Sequence, residues 1–136
     1  MAHTVNTQVL VDGSKHTIIK VTIKGDGSSG ELSNYVIYDA SAYTAGSTKP
    51  KLDRIQYCLN GFSGELFWDA TLNISLISID QDISEDMDFT DTGGLIDNAG
   101  AGRTGDILLT TTGLASSSKD GYIIFYINQR EVPVIK

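Results

Sequence analysis

Three glycines within one long irregular stretch form the clearest chemical motif of the sequence. Gly100, Gly102 and Gly105 match the pattern G-x-G-x-x-G, which in dinucleotide-binding proteins brings the backbone close to a pyrophosphate. That chemistry needs a buried strand before the glycines and a helix after them. Here the preceding residues are loop-like, and residues 106–112 are rich in Thr, Leu and Ile, which is typical of a strand. The sequence therefore predicts a tight loop shaped by glycine and not a nucleotide site.

The irregular stretch extends well beyond that motif. Residues 89–106 are dense in Gly, Asp, Asn and Thr and show neither a helical nor a strand period. A loop of this length inside a small domain is typical of a functional or contact-making segment. Residues 89–106 are therefore the first candidate for a functional region.

An acidic run precedes this stretch. Asp80, Asp82, Ser84 and Asp86 stand at alternate positions, which resembles the start of a calcium-binding loop. The sixth position is Glu85 in place of the turn glycine, and the twelfth is Asp91 in place of a bidentate Glu. The two hypotheses for residues 80–91 are a weak calcium site and a solvated acidic connector, and the pattern favours the connector.

The residue types that serve as catalysts are scattered. The two histidines, His3 and His16, lie near a terminus and after a turn, at spacings that fit neither a catalytic triad nor a metal site. Cys58 lies in an apolar run, where a free thiol usually acts as a small buried hydrophobe. We therefore expect no enzymatic activity, no cofactor and no bound metal.

Trp68 and the tyrosines raise a different chemistry, stacking on a sugar ring. Trp68 alternates with Leu66 in an apolar strand, however, so both side chains are expected on one buried face. Core packing is the favoured interpretation of Trp68.

The elements that would position these residues are β-strands. Alternating and β-branched segments, separated by Gly, Asp, Asn and Ser, predict eight strands and no helix. The predicted strands cover residues 5–11, 15–24, 31–39, 51–60, 64–69, 72–79, 106–112 and 121–128. Eight antiparallel strands in 136 residues predict an all-β, two-sheet, jelly-roll-like sandwich. A closed eight-stranded barrel is the alternative, although it needs longer and more uniform strands.

Two faces within these strands are predicted from their alternation. In the first strand, Val5, Val9 and Val11 are expected on one face. In the third strand, Tyr35 and Ile37 are expected on one face, and Val36 and Tyr38 on the opposite face.

Length and charge exclude several functional classes. A chain of 136 residues is predicted to form one domain, residues 1–136, with residues 129–136 as an extended tail. The net charge of −7 and the isolated basic residues disfavour nucleic acid and anionic membranes as partners. The sequence has no apolar run long enough to span a membrane, and residues 1–5 lack the basic and hydrophobic segments of a secretion signal, so we expect neither a span nor a signal. One cysteine allows no internal disulfide, which suits a reducing compartment or an exterior site that needs no disulfide.

Several segments resemble a group of small virion structural proteins of tailed bacteriophages. The similar segments are residues 9–13, 18–21, 66–70, 93–95 and 98–111, so the resemblance spans most of the chain. It implies a cement, or decoration, protein on the outside of a phage head, which bridges subunits of the major capsid protein. It also implies a homodimer or homotrimer, made in the host cytoplasm and then added to the capsid.

Such a protein would attach through loops and termini, because a rigid sandwich offers those segments to neighbours. We expect contacts from the loop at residues 80–105 and from both termini, where the tail would dock by strand addition or remain disordered. Arg103 would pair with a carboxylate across an interface or within its own loop. The expected interface residues are Gly93, Gly94, Leu95, Asp97, Asn98, Arg103, Val132, Pro133 and Val134.

Three other functions compete with this expectation. One is a tail or head–tail connector protein, present in few copies per particle. The second is a carbohydrate-binding β-sandwich module that uses Trp68. The third is a small β-barrel carrier with a ligand in an internal cavity.

Overall fold

Strands dominate the structure, a computed structural model that describes residues 3–13, 16–25, 30–43, 50–92, 94–96, 100–114 and 119–128. These residues form ten strands and two one-turn 3-10 helices. The strands are β1 (Thr4–Asp12), β2 (His16–Lys24), β3 (Tyr35–Tyr38), β4 (Lys51–Asn60), β5 (Ser63–Trp68), β6 (Ile74–Ile79), β7 (Ser84–Asp88), β8 (Leu95–Ile96), β9 (Ile107–Thr112) and β10 (Asp120–Asn128). The 3-10 helices are Ala40–Ala42 and Thr90–Thr92. In this part of the chain no helix has the length and apolarity to cross a membrane.

The strands form two antiparallel sheets. The larger sheet has the order β1-β2-β10-β4-β7, and β8 pairs with the end of β4. The smaller sheet has the order β3-β9-β5-β6. Two separate sheets confirm the predicted sandwich and exclude the closed barrel.

Four strand pairs are nested one inside another. The innermost pair is the hairpin β5–β6, and β4 with β7 encloses it in the other sheet. The next pair is β3 with β9, and the outermost is β2 with β10. The chain therefore winds like one long hairpin whose strand pairs alternate between the two sheets.

The core lies between the sheets, because alternate residues of the central strands are buried. Along β10, Ile123, Phe125 and Ile127 are at most 1% exposed, as are Leu66 and Trp68 on β5. The buried side chains of both sheets form one cluster. Burial of each large side chain contributes roughly 1.5–3 kcal/mol, so this cluster is the main stabilising feature. The prediction that Trp68 packs in the core is confirmed.

The alternation predicted for β1 is interrupted by a bulge. Val9 pairs with Ile19, whereas Val11 pairs with Ile18, so Leu10 is an extra residue in this strand. Since directly paired residues point to the same side, Val9 lies on the core side and Val11 on the outer side of the sheet. The expectation of one common face was therefore wrong for Val11.

The third strand is shorter than predicted and is also irregular. Asn34 has a φ of 48°, which ends the extended backbone before Tyr35. The pairing with β9 shifts between Val36 and Tyr38, and both Ile37 and Tyr38 are buried. Tyr35 lies opposite Leu109 and Tyr38 opposite Ile107, both core residues, so Tyr35 shares the core side with Ile37 as predicted. The prediction that Val36 and Tyr38 share the opposite face was wrong for Tyr38, because the register shift at Ile37 turns Tyr38 to the core.

The acidic run contains a strand that the sequence did not indicate. Residues 84–88 form β7 and pair with β4, so a simple connector was the wrong prediction for them. At this sheet edge only Met87 is half-buried, and the carboxylates remain exposed. An edge strand needs no apolar alternation when one of its faces is open to water, which explains why the pattern was not visible.

Candidate interaction surfaces

Two of the nine expected interface residues lie in β8 and the turn before it. Leu95 pairs with Leu52 of β4 and is half-buried against the core. Gly94 has a φ of 87°, and its N–H donates to the Phe89 carbonyl at 2.9 Å. Both residues thus anchor their loop to their own sheet. Their role at an interface stays a prediction.

Six of the nine lie outside the described residues. They are Gly93, Asp97, Asn98, Val132, Pro133 and Val134.

The ninth, Arg103, belongs to the loop that leads into β9. Its side chain is half-buried, and its backbone N–H donates to the Gly100 carbonyl at 3.3 Å. Part of the side chain remains accessible to a neighbouring molecule. Its pairing across an interface stays a prediction.

The glycine motif packs against the turn between β5 and β6. The Thr71 N–H donates to the Ala101 carbonyl at 3.0 Å, and the Thr104 hydroxyl donates to Asp69 Oδ2 at 2.9 Å. Gly102 has a φ of 78°, and a Cβ there would overlap the Thr71 side chain. The strand β9 follows the motif, so the helix that a dinucleotide site requires does not follow it.

The end of this loop is tied to the smaller sheet by Asp106. One of its carboxylate oxygens accepts a hydrogen bond from the Ala40 N–H at 2.8 Å. Burial raises the pKa of Asp106 above its ordinary value, whereas the hydrogen bond from Ala40 opposes that shift. The described part of the loop therefore forms one body with the sandwich.

Three carboxylates of the acidic run engage different partners. Asp82 accepts from the Gly61 N–H at 2.8 Å, and Asp88 accepts from the Thr90 N–H at 2.9 Å. Asp86 accepts from Arg54 Nε at 2.8 Å. Among the residues that the structure describes, no three His, Cys, Asp or Glu side chains are grouped to hold a metal ion. This geometry gives the calcium hypothesis for residues 80–91 no support.

The outer face of the larger sheet carries an organised polar and aromatic surface. Lys20 Nζ lies 5.2 Å from the ring centroid of Tyr122, and Arg54 Cζ lies 5.1 Å from that of Tyr126. The Tyr126 hydroxyl donates to Gln56 Oε1 at 2.9 Å. Tyrosine and arginine are the residue types enriched in protein interfaces. Because cations already lie over both rings, this face suits a protein contact better than sugar stacking.

A second surface is apolar and lies at one lateral edge of the sandwich. On β1, Val9, Leu10 and Val11 are 49%, 47% and 43% exposed, and on β3 Tyr35 and Val36 are 39% and 46% exposed. We call these five residues the β1/β3 edge. Sequence reasoning missed this surface because alternation put the valines of β1 on one face and did not show that β1 lies at the edge of its sheet. Three consecutive aliphatic residues in an otherwise polar strand were the available signal.

The two strands of this edge lie on the same side of the molecule. His3 Nε2, just before β1, lies 2.6 Å from the carbonyl oxygen of Gly30, five residues before β3. This contact places the start of β1 near the segment that leads into β3.

No protein-family model, curated protein or solved structure matches this chain. The resemblance to phage virion proteins therefore stays a prediction. The function must be argued from the sandwich and its surfaces.

Proposed function

We propose that this chain is a structural virion protein, a cement protein that binds the outside of a phage head. In this role it bridges subunits of the major capsid protein and acts as a homo-oligomer. The observation that carries the proposal is the nested pairing of the strands across two sheets. The segments that resemble phage virion proteins add to it.

The nested pairing supports a jelly roll as the finer description of the fold. Eight strands, β2 to β7 with β9 and β10, follow the order β2-β10-β4-β7 in one sheet and β3-β9-β5-β6 in the other. A double sheet of eight strands with two Greek keys is the jelly-roll architecture, which occurs in viral capsid domains and also in lectins and cupins. Since one fold serves many functions, this connectivity supports the capsid role without distinguishing it from the others.

The surfaces favour a contact-making role among those functions. A cement protein needs a rigid scaffold and an accessible surface of roughly 1,000 Å² or more against its neighbours. The outer face of the larger sheet presents Tyr122, Tyr126 and Arg54 in fixed positions. The β1/β3 edge adds exposed apolar area on a different side. Two separate surfaces are what a bridging protein requires.

The buried position of Trp68 argues against the carbohydrate-binding alternative. Trp68 is 1% exposed and packs between the sheets, so it cannot stack on a sugar without unfolding of the core. Replacement of Trp68 would report on folding and not on sugar binding.

Copy number in purified particles tests the proposal most directly. We expect quantitative mass spectrometry of virions to find on the order of hundreds of copies per particle, because a cement protein occupies repeated sites on a symmetric shell. A particle density map should then show the two-sheet sandwich on the outer surface of the head. A dozen or fewer copies at one vertex would favour the connector or tail function. Absence from the particle would overturn the proposal.

An add-back assay locates the attachment surface. Purified protein is mixed with particles that lack it, and the retained fraction is measured after sedimentation. We expect Arg103→Gln to reduce retention if this half-buried guanidinium pairs across the interface. The matched control is Lys24→Gln, which removes one positive charge from the exposed end of β2. Equal retention of the two variants would place the attachment surface away from Arg103.

A further inference from the structure

The strand β1 forms one edge of the larger sheet. It hydrogen-bonds to β2 on one side, and it is the outermost strand of that sheet among the strands that the structure describes. An open strand edge of nine residues is a ready template for another strand. Proteins usually protect such an edge with charge, proline or short length.

The two edges of the larger sheet differ in that protection. At the far edge, β7 has five residues and carries Glu85, Asp86 and Asp88. Residues 4–11 of β1 include no charged residue and no proline. The β7 edge is therefore guarded by charge and short length, whereas residues 4–11 of β1 carry neither charge nor proline and have only the bulge at Leu10 as protection.

The bulge at Leu10 places apolar groups on both sides of the open edge. Val9 is directed to the core side and Val11 to the outer side, and both are more than 40% exposed. Val36 of β3, at the edge of the smaller sheet, is 46% exposed as well. A partner that covers this edge must supply a strand with apolar residues on both of its faces.

We propose that this partner is a second copy of the same chain, whose β1 pairs antiparallel with β1 across a two-fold axis. The chain has a net charge of −7, so two copies approach most easily through an uncharged surface. Residues 4–11 of β1 are such a surface, and self-pairing places uncharged residues opposite uncharged residues. Paired along its full length, the antiparallel strand places Val5 of one copy opposite Val11 of the other and Thr7 opposite Val9.

The size of this edge is sufficient for a dimer. Nine residues at about 3.4 Å each make an edge about 30 Å long, and two sheets about 10 Å apart with their outer side chains make it about 20 Å deep. Contact over that area buries about 600 Å² per copy, at the lower end of specific interfaces. An isologous edge pairing gives a dimer, or an even-numbered assembly built from dimers. A trimer is inconsistent with it.

Sedimentation velocity over a concentration series tests the inference. We expect the wild-type chain to form a dimer, and Val9→Lys to weaken self-association by about a hundredfold or more, because the dimer would then bury a lysine of each copy without a counter-charge. The matched control is Leu72→Lys, which adds the same charge at a residue that is 79% exposed in the β5–β6 turn. This control should dimerise like the wild type. Circular dichroism checks that each variant is folded.

Hydrogen exchange identifies the surface independently of these variants. Amides of β1 should become more protected as the concentration rises through the dimerisation range, whereas those of β7 should not change. A wild-type monomer at all concentrations, a trimer, or dimerisation of Val9→Lys at wild-type strength would overturn the inference. Dimer formation without a change in the protection of the β1 amides would also overturn it.

This inference refines the homo-oligomer part of the proposed function and rests on that part alone. A chain that dimerises through β1 but is absent from virions would overturn the capsid role and leave the dimer intact. A monomer found on virions in hundreds of copies would overturn the dimer and leave the capsid role intact.

Discussion

Gly102 shows at the scale of a single residue why the glycine motif is structural. Its φ of 78° lies in the left-handed region, and its backbone approaches Thr71. A Cβ at this position would lie 3.0 Å from the Thr71 nitrogen and overlap the side chain. Gly100, two residues earlier, has open space around it. The glycines of one motif therefore meet very different constraints.

That difference gives a matched pair of substitutions. We expect Gly102→Ala to lower the free energy of unfolding by about 1–3 kcal/mol, because a non-glycine residue is strained in this conformation and crowds Thr71. Gly100→Ala should change it by less than about 0.5 kcal/mol, as at other unconstrained surface positions. Urea denaturation measures both. Equal losses for the two variants would contradict the structural explanation of the motif.

At the scale of elements, the pairing of β7 with β4 depends on charge where other pairs depend on burial. Asp86 lies opposite Gln56 and binds Arg54 in a bidentate ion pair, with the two ionic side chains 44% and 37% exposed. The hydrogen bond from Arg54 is the largest cause that lowers the pKa of Asp86 below 3.8. Gln56 Nε2 donates to the same carboxylate at 3.2 Å. This edge strand is thus held by contacts that respond to pH.

The sign of that response follows from the lowered pKa. Asp86 is more acidic in the folded than in the unfolded chain, so its contribution is complete above about pH 4 and is lost as the pH falls through the folded pKa. We expect Asp86→Asn to be less stable than the wild type at neutral pH, with the difference shrinking below about pH 4. Urea midpoints measured across pH 2–7 check this. Glu85→Gln, which removes the same charge from the same strand but leaves the Arg54 pair, is the control. A wild-type advantage that persists to pH 2 would contradict the prediction.

At the scale of the whole molecule, both sheets depend on one core. Phe125 on β10 and Trp68 on β5 come from opposite sheets and belong to the same buried cluster. Without the other sheet, the apolar inner face of each sheet would be exposed to water. The molecule is therefore expected to lose both sheets in one step.

A shared core predicts a single cooperative transition. Far-ultraviolet circular dichroism reports the strands of both sheets, and fluorescence of Trp68, the one tryptophan, reports the smaller sheet. We expect the two signals to have the same urea midpoint, as two-state unfolding requires. Separate midpoints would show that the sheets unfold independently and would contradict the single-domain prediction.

Most of the strands could be predicted because their core-facing residues alternate. The β-branched and aromatic alternation in β2, β5 and β10 specifies both the strand and its buried face without knowledge of the partner strand. The exclusion of a nucleotide site is also local, since it depends only on the strand-like residues directly after the glycines. The contacts of the expected interface residues could not be predicted in this way, because polar loop residues show no periodic pattern that indicates which residues they contact.

What the sequence determined by itself is thus the class of fold, namely an all-β two-sheet sandwich, and the burial of Trp68 within it. Only the tertiary structure decided which strands form edges, and with them the surfaces open to partners. The edge position of β1 exposes its aliphatic residues, the bulge at Leu10 turns Val11 to the outer face, and Asp86 of the acidic run pairs with Arg54 across β7 and β4. The physical reason is that side-chain period follows from the chain itself, whereas pairing order depends on contacts between residues far apart in sequence.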